Sequence, residues 1–199
     1  MADKPEVLLQ GKHLLFLRRD GWEYVEHRTA PEAAMIVALT PAREIVLIEE
    51  FRPALNASVI SLPSGLIGDE GPEEAIDAAR RELREETGYD APAFRRLARG
   101  PGSAGQSSEM ITFFLAQGAR RAGEQAAHDL GRIRVHVVPV PQLPAWAASR
   151  ESQGNPVDPK IWAGLYLAGR PRSRSTSPRG RSSRRPFAAR RGRSRSAKR

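Results

Sequence analysis

The 199-residue sequence contains no cysteine, which excludes disulfide bonds, zinc sites built on thiolates and thiol nucleophiles. It also lacks any apolar run approaching about 18 residues, the length that a membrane-spanning helix needs. The N-terminal segment MADKPEVLLQGK carries acids and has no apolar stretch typical of a secretory signal. These absences favour a cytoplasmic protein with no membrane partner.

Acidic residues are absent from residues 170–199, a segment that holds 13 of the 32 Lys and Arg residues. Residues 1–169 contain the other 19 basic residues and all 23 acidic ones, so their net charge is −4, whereas the whole chain carries +9. The basic character therefore belongs to the C-terminal segment, and the total charge is no evidence that the rest binds nucleic acid.

The composition of residues 170–199, dominated by Arg, Ser and Pro, predicts a disordered tail because little apolar surface is available to offset the entropy of ordering. Three interpretations of this tail stay open. It is a solvated segment without a role, a segment that binds RNA, DNA or an acidic surface through phosphate contacts, or an aberrant terminus.

Short extended patterns fill residues 7–29, and Arg19-Asp20-Gly21 indicates a hairpin turn between two of them. We predict an antiparallel β-ribbon subdomain over residues 1–30. Trp22 and Tyr24 share one face of a strand. They either pack against the main body or form a stacking surface for a base or a dimer contact.

Residues 31–169 are predicted to form one α/β domain. The continuous apolar runs 33–39 and 44–48 indicate strands buried on both faces. Further strands are predicted at 59–64, 93–99, 110–116 and 133–139, and helices at 142–151 and 159–167. Four large residues of the last helix recur at helical spacing and are predicted to lie in the core: Ile161, Trp162, Leu165 and Tyr166.

Three carboxylates are concentrated in one turn of another predicted helix. Pro72 suits a first-turn position, and Gly88 is typical of a helix end. At about 100° per residue, Glu82, Glu85 and Glu86 fall within one arc of the helix surface, where they repel one another. An acid-rich helix can simply present a solvated charged face. The alternative is a bound cation, and hard carboxylate oxygens favour Mg²⁺ or Mn²⁺ over zinc.

The order of residues in this stretch resembles the Nudix box, which reads Gly, five residues, Glu, seven residues, then Arg-Glu-aliphatic-any-Glu-Glu-any-Gly-aliphatic. Residues 81–88 match its second half, and Glu73 stands at the earlier Glu. Two positions depart from the pattern. Gly65 lies two residues further upstream than the strict spacing, and Tyr89 replaces the final aliphatic residue.

Two more segments resemble the ADP-ribose pyrophosphatase branch of that family: Glu-Glu-Phe-Arg-Pro at 49–53, and the glycine-rich loop 100–109. The resemblance implies a Nudix α/β/α sandwich with a mixed sheet. It also implies hydrolysis of the diphosphate bond of ADP-ribose, or of a related nucleoside diphosphate sugar, with Mg²⁺ or Mn²⁺ as cofactor. ADP-ribose would yield AMP and ribose 5-phosphate. A homodimer that exchanges arms through the N-terminal ribbon is a further implication.

The resemblance also assigns roles to single residues. The expected metal ligands are Glu82, Glu85, Glu86 and the backbone carbonyl of Ser64. The expected catalytic residues are Glu109, which would position or deprotonate water, Glu85, and Arg81, which would orient Glu85 or another acid through an i,i+4 pair. The expected substrate-binding residues are Arg52, Trp22 and Arg28. Taken alone, Arg52 is as compatible with a plain surface charge as with a phosphate ligand, and Glu109 taken alone favours an exposed acid at the start of a strand.

A second hypothesis comes from another class of protein. In it the chain keeps a Nudix scaffold, and its main role is nucleic-acid binding through the basic tail. Dependence of the activity on residues 170–199 distinguishes the two hypotheses.

Overall fold

The computed structural model of the protein describes residues 4–69, 71–126 and 133–171. Within these ranges the chain forms two separate β-sheets, a short two-stranded pairing and three α-helices. The strands are β1 Glu6–Gln10, β2 Leu14–Arg19, β3 Trp22–His27, β4 Glu32–Leu39, β5 Glu44–Arg52, β6 Ala57–Ser61, β7 Ser64–Leu66, β8 Tyr89–Asp90, β9 Ala93–Pro101, β10 Met110–Gln117, β11 Arg120–Arg121 and β12 Arg134–Pro139. The helices are α1 Ala75–Thr87, α2 Leu143–Ser152 and α3 Lys160–Gly169.

The N-terminal strands form an antiparallel three-stranded sheet in the order β1-β2-β3. The turn between β2 and β3 places Asp20 and Gly21 at positive φ, 51° and 78°, as a two-residue hairpin turn of matching twist requires. The hairpin predicted at this position is therefore present, and β1 adds a third strand to it.

The main sheet has seven strands in the order β12-β5-β4-β10-β9, with β6 paired to β5 and β7 paired to β4. Strands β10 and β4 run parallel, whereas the other pairs are antiparallel, so the sheet is mixed as predicted. Alternate residues of β4 enter two cores. Met35 and Val37 face α2 and α3, and Ile36 faces α1, so the sheet lies between helical layers.

Two details of the predicted helices are wrong. Helix α1 begins at Ala75, so Pro72 lies in the loop before it. In α3, Trp162 and Tyr166 are 40% and 71% exposed and do not belong to the core. The helix packs through Ile161, as predicted, and through Gly164, because a Cβ at position 164 would lie 2.7 Å from Val37 Cγ2 and only glycine allows this approach.

The predicted tail lies outside the described residues from position 172 onward. In the part of the chain that the structure covers, no helix has the length and apolar character that crossing a membrane demands.

Candidate functional site

Helix α1 buries two of its glutamates. Glu82 and Glu86 are only 7% and 3% exposed, although a carboxylate is rarely buried without a partner. The small side chains Ala78 and Ala79 lie one turn or more earlier on the same buried side and let the helix approach the sheet closely. The helix ends at Gly88, whose φ of 72° supports a left-handed cap.

Strand β7 lies directly against these carboxylates. The backbone N–H of Ser64 donates a 2.8 Å hydrogen bond to Oε2 of Glu86. A Cβ added to Gly65 would collide with the carboxyl group of Glu82, so glycine is required for this approach. The sequence places both glutamates on one helix face, and the pairing of β7 with β4 brings the Gly65 backbone to them.

Burial changes the acidity of both groups. It raises the pKa of Glu82 to about 7, although the neighbouring Arg81 acts in the opposite direction. Burial also raises the pKa of Glu86 to about 8, against the effect of the hydrogen bond from Ser64, with Glu82 and Glu50 adding repulsion. Both carboxylates therefore lack sufficient positive charge around them, which a bound cation would supply.

The guanidinium group of Arg81 donates hydrogen bonds to several carboxylates. Its Nη1 donates to Glu82 Oε1 at 2.9 Å and to Glu85 Oε2 at 3.2 Å, the latter being the expected i,i+4 pair. Its Nη2 donates to Glu73 Oε1 at 2.9 Å, and Glu73 also accepts from the backbone N–H of Gly68. These bonds lower the pKa of Glu73 and connect the loop before α1 to the helix.

The donor set fits a hard cation such as Mg²⁺. Glu86 forms no ion pair with any described residue, and Glu82 has Arg81 as its partner. Nowhere in the described ranges do three Asp, Glu or His side chains converge to hold a metal. The protein would supply the carboxylates of Glu82 and Glu86 and the backbone carbonyl of Ser64, and substrate phosphates and waters would fill the other positions, as is common for Mg²⁺.

Arg52 ends strand β5 beside a third buried carboxylate. Its Nη2 lies 2.8 Å from Glu50 Oε2. This is an ion-pair distance, although the alignment falls short of a hydrogen bond, and no other described residue forms a hydrogen bond to that oxygen. Glu50 is buried, whereas the Arg52 side chain is 41% exposed, so Glu50 holds one side of the guanidinium group and the remainder reaches solvent.

A cavity of about 360 Å³ brings several predicted site residues together. Arg52, Ser64 and Glu109 all line it, although they lie on three separate segments of the chain. The carboxylate of Glu86 lies next to it, because it accepts a hydrogen bond from the backbone N–H of Ser64. The residues that contribute no charge to this cavity are small or aliphatic, among them Met35, Leu55, Val59 and Ile111.

Two residues of this cavity, Asp158 and Lys160, were not predicted as site residues. Lys160 Nζ lies 2.7 Å from Asp158 Oδ2, and Asp158 Oδ1 accepts from the Lys160 backbone N–H at the start of α3. Asp158 N–H also donates to the Ile60 carbonyl, which holds the segment along β6. The Asp-Pro-Lys order is a helix-start signal, but it does not reveal that the pair lines the same cavity as Arg52.

Two predicted substrate-binding residues lie outside the lining of this cavity. Trp22 is 64% exposed, and its Nε1 donates a 3.1 Å hydrogen bond to the carbonyl of Gly105. Arg28 donates to the carbonyls of Gly11 and Lys12 in the β1–β2 turn. Within this chain, both side chains thus stabilise loops.

Comparison of the chain with known proteins shows which family it resembles. A model of the NUDIX domain matches residues 29–157. The chain is 33% identical to the methanol dehydrogenase activator of Bacillus methanolicus over 107 residues, 54% of this chain and 55% of that protein. It is 34% identical to the ADP-ribose pyrophosphatase of Bacillus subtilis over 95 residues, 48% of this chain and 49% of that protein. The chain thus spans about half the length of these two relatives.

A longer alignment joins the chain to the GDP-mannose pyrophosphatase of Escherichia coli, with 30% identity over 138 residues, 64% of this chain and 69% of that protein. The crystal structure of an ADP compounds hydrolase superposes with a TM-score of 0.60 at 20% identity, covering 84% of this chain and 94% of that one. This likeness confirms the predicted fold. Because the family match spans helix α1, Glu109 and well over half of the chain, the protein belongs to the Nudix family.

Proposed function

We propose that this protein hydrolyses the diphosphate bond of nucleoside diphosphate sugars in a reaction that depends on a divalent metal, with ADP-ribose as the leading substrate. The observation that carries the proposal is the burial of Glu82 and Glu86 against Gly65, beside a cavity that holds both Arg52 and Glu109. The relatives named ADP-ribose pyrophosphatase and GDP-mannose pyrophosphatase support this class of substrate.

The reaction adds one water across a phosphoanhydride. The water oxygen forms a bond to one phosphorus, the bond from that phosphorus to the bridging oxygen breaks, and a proton leaves. ADP-ribose would yield AMP and ribose 5-phosphate. Bound Mg²⁺ or Mn²⁺ would neutralise the diphosphate and acidify water.

The residues of this chain would have separate roles in the reaction. Glu82 and Glu86, with the Ser64 carbonyl, are proposed to hold the metal. Arg81 fixes Glu82 and Glu85 and so keeps the carboxylates in place. Arg52 would hold a phosphate through its planar guanidinium group.

Glu109 would orient the attacking water or accept its proton. Its place in the lining of the cavity that Ser64 and Arg52 also line supports this role.

A homodimer located in the cytoplasm is part of the proposal. The N-terminal sheet exposes Val7, Leu9 and Phe16, which favours contact with a second copy. Light scattering on the purified chain tests the dimer. A single molecular mass equal to one chain at micromolar concentration would contradict it.

Substrate identity is tested with a panel of nucleoside diphosphate sugars, dinucleoside polyphosphates and nucleoside triphosphates, each with Mg²⁺ or Mn²⁺. We expect cleavage of ADP-ribose or another nucleoside diphosphate sugar, and loss of cleavage in chelator. Preference for a triphosphate, or turnover unaffected by chelator, would contradict the proposal.

A further inference from the structure

Strand β3 of the N-terminal sheet binds the loop that carries Glu109. We name residues 102–109 the Glu109 loop. The Val25 N–H donates to the Gln106 carbonyl at 2.8 Å, and the Ser108 N–H donates to the Val25 carbonyl at 3.2 Å. The loop thus pairs with the edge of β3 that β2 leaves open, as a short parallel bridge between Val25 and Ser107.

Side chains of β3 add two more bonds to this loop. Trp22 Nε1 donates to the Gly105 carbonyl at 3.1 Å, and Ser108 Oγ donates to Glu26 Oε2 at 2.9 Å. The loop is therefore attached through backbone and side chains near its middle and its end. A segment rich in glycine and serine loses much conformational freedom when it is held in this way.

The carboxylate of Glu109 lies between His27 and Gly102. His27 Nε2, at the end of β3, lies 3.7 Å from Glu109 Oε1. This is longer than a direct hydrogen bond, so the ring N–H reaches the carboxylate through a bridging water or after a small movement of either side chain. On the other side, a Cβ at Gly102 would lie 3.2 Å from Glu109 Oε2 and 2.8 Å from Ile111 Cδ1. One oxygen of the Glu109 carboxylate therefore lies near His27 and the other lies near Gly102.

We propose that β3 positions Glu109 for reaction and that His27 is the positioning residue that orients its carboxylate. The N-terminal sheet would then act on the chemistry in its own subunit, in addition to any contact with a second copy. This inference rests on the proposed hydrolysis and extends it to residues that do not line the cavity.

Kinetics on His27→Ala, His27→Gln, Glu109→Gln and the double variant His27→Ala/Glu109→Gln test the proposal. His27→Ala should lower kcat by about tenfold while KM and the Mn²⁺ dissociation constant change by less than about twofold. His27→Gln keeps an N–H donor and should recover most of kcat. The double variant should be no slower than Glu109→Gln alone, because His27 acts through Glu109.

Hydrogen exchange gives a readout that needs no substrate. Trp22→Phe and Ser108→Ala each remove one donor to the loop attachment, so backbone amides of residues 105–109 should exchange faster than in the wild type. Glu6→Gln is the matched control, since it breaks the Glu6–Arg18 pair on the same sheet without contacting the loop. It should leave both exchange and kcat unchanged. Thermal unfolding of each variant establishes that it is folded.

The outcomes separate the two proposals. A folded wild type that cleaves no substrate of the panel would contradict the proposed function, and with it this inference. An active wild type whose His27→Ala variant keeps its kcat would contradict the inference alone. So would losses that multiply in the double variant, since His27 and Glu109 would then act independently.

Discussion

The backbone N–H of Ser64 and the carboxylate of Glu86 are joined by a 2.8 Å hydrogen bond that links strand β7 to the last turn of helix α1. The bond favours the ionised form of Glu86, whereas burial and the nearby Glu82 and Glu50 favour the protonated form. Burial prevails, so in the absence of a cation the folded protein holds a proton that the unfolded chain would release. The stability of the folded protein therefore depends on pH.

Without divalent ions, the protein should become less stable as the pH rises from about 5 to about 8.5. The folded pKa of Glu86 is about 8 and that of Glu82 about 7, against an ordinary value of 4.5. Between these values the folded state binds more protons than the unfolded state, so the free energy of unfolding falls with pH. At about 1.4 kcal/mol per pKa unit, the two shifts correspond to a decrease of several kcal/mol, measured by urea unfolding in chelator.

Glu86→Gln is the matched variant for this measurement, because it removes the group with the larger shift. Its free energy of unfolding should change less with pH over the same range. In the wild type, saturating Mg²⁺ should raise the free energy of unfolding mainly at high pH. Glu32 and Glu73, whose pKa values are lowered by arginine partners, titrate below this window. Stability that rises between pH 5 and pH 8.5 in chelator would contradict the account of the buried carboxylates.

Gly65→Ala should impair metal binding and hydrolysis together. The added Cβ would overlap the Glu82 carboxyl group, so either β7 or Glu82 must shift. Such overpacking costs about 1–3 kcal/mol of stability. Gly100→Ala is the control, since a Cβ there meets nothing within 4 Å and φ is not in the left-handed region. Equal Mn²⁺ affinity of the two variants in calorimetry would show that the approach of Gly65 to Glu82 has no functional importance.

Arg52→Ala should raise KM by roughly tenfold or more, because a charge-assisted hydrogen bond to phosphate contributes about 1.5–3 kcal/mol. It should also destabilise the protein, since Glu50 would lose the partner 2.8 Å away. Arg52→Lys keeps the charge and loses the planar guanidinium group, so its KM should lie between that of the wild type and that of Arg52→Ala. Steady-state kinetics decide, and a KM shared by all three proteins would remove Arg52 from the substrate site.

Removal of residues 172–199 should leave hydrolysis within about twofold of the full chain, because the cavity and the carboxylate helix lie entirely upstream. If the chain acts mainly by binding nucleic acid, the truncated protein should lose RNA binding that the full chain shows and that salt weakens steeply. Electrophoretic mobility shifts and turnover are measured on both proteins. Loss of hydrolysis on truncation would contradict the first expectation, whereas RNA binding that is lost on truncation, with no hydrolysis by either protein, would favour the second hypothesis.

Local spacing predicted the parts of the site that a single helix creates. The arc of Glu82, Glu85 and Glu86, and the pair of Arg81 with Glu85, follow from the helical period and were present in the structure. The period does not say which arc faces the core. In α3 it predicted Trp162 as buried, whereas the smaller Gly164 makes the close contact.

Contacts between distant segments were beyond sequence reasoning. Asp158 enters the cavity because its segment pairs with Ile60 of β6, about 100 positions earlier in the chain. His27 meets Glu109 because the open edge of β3 binds the loop. Both depend on strand pairings whose partners and register no local pattern records.

The most direct test of the central claim is ³¹P NMR of ADP-ribose with saturating Mg²⁺, comparing the wild type with the double variant Glu82→Gln/Glu86→Gln. The account predicts that the wild type replaces the diphosphate resonances with those of two phosphate monoesters, and that the double variant, although folded, does not. Equal conversion by both proteins would contradict the account, because the two buried carboxylates of α1 would then have no part in the cleavage.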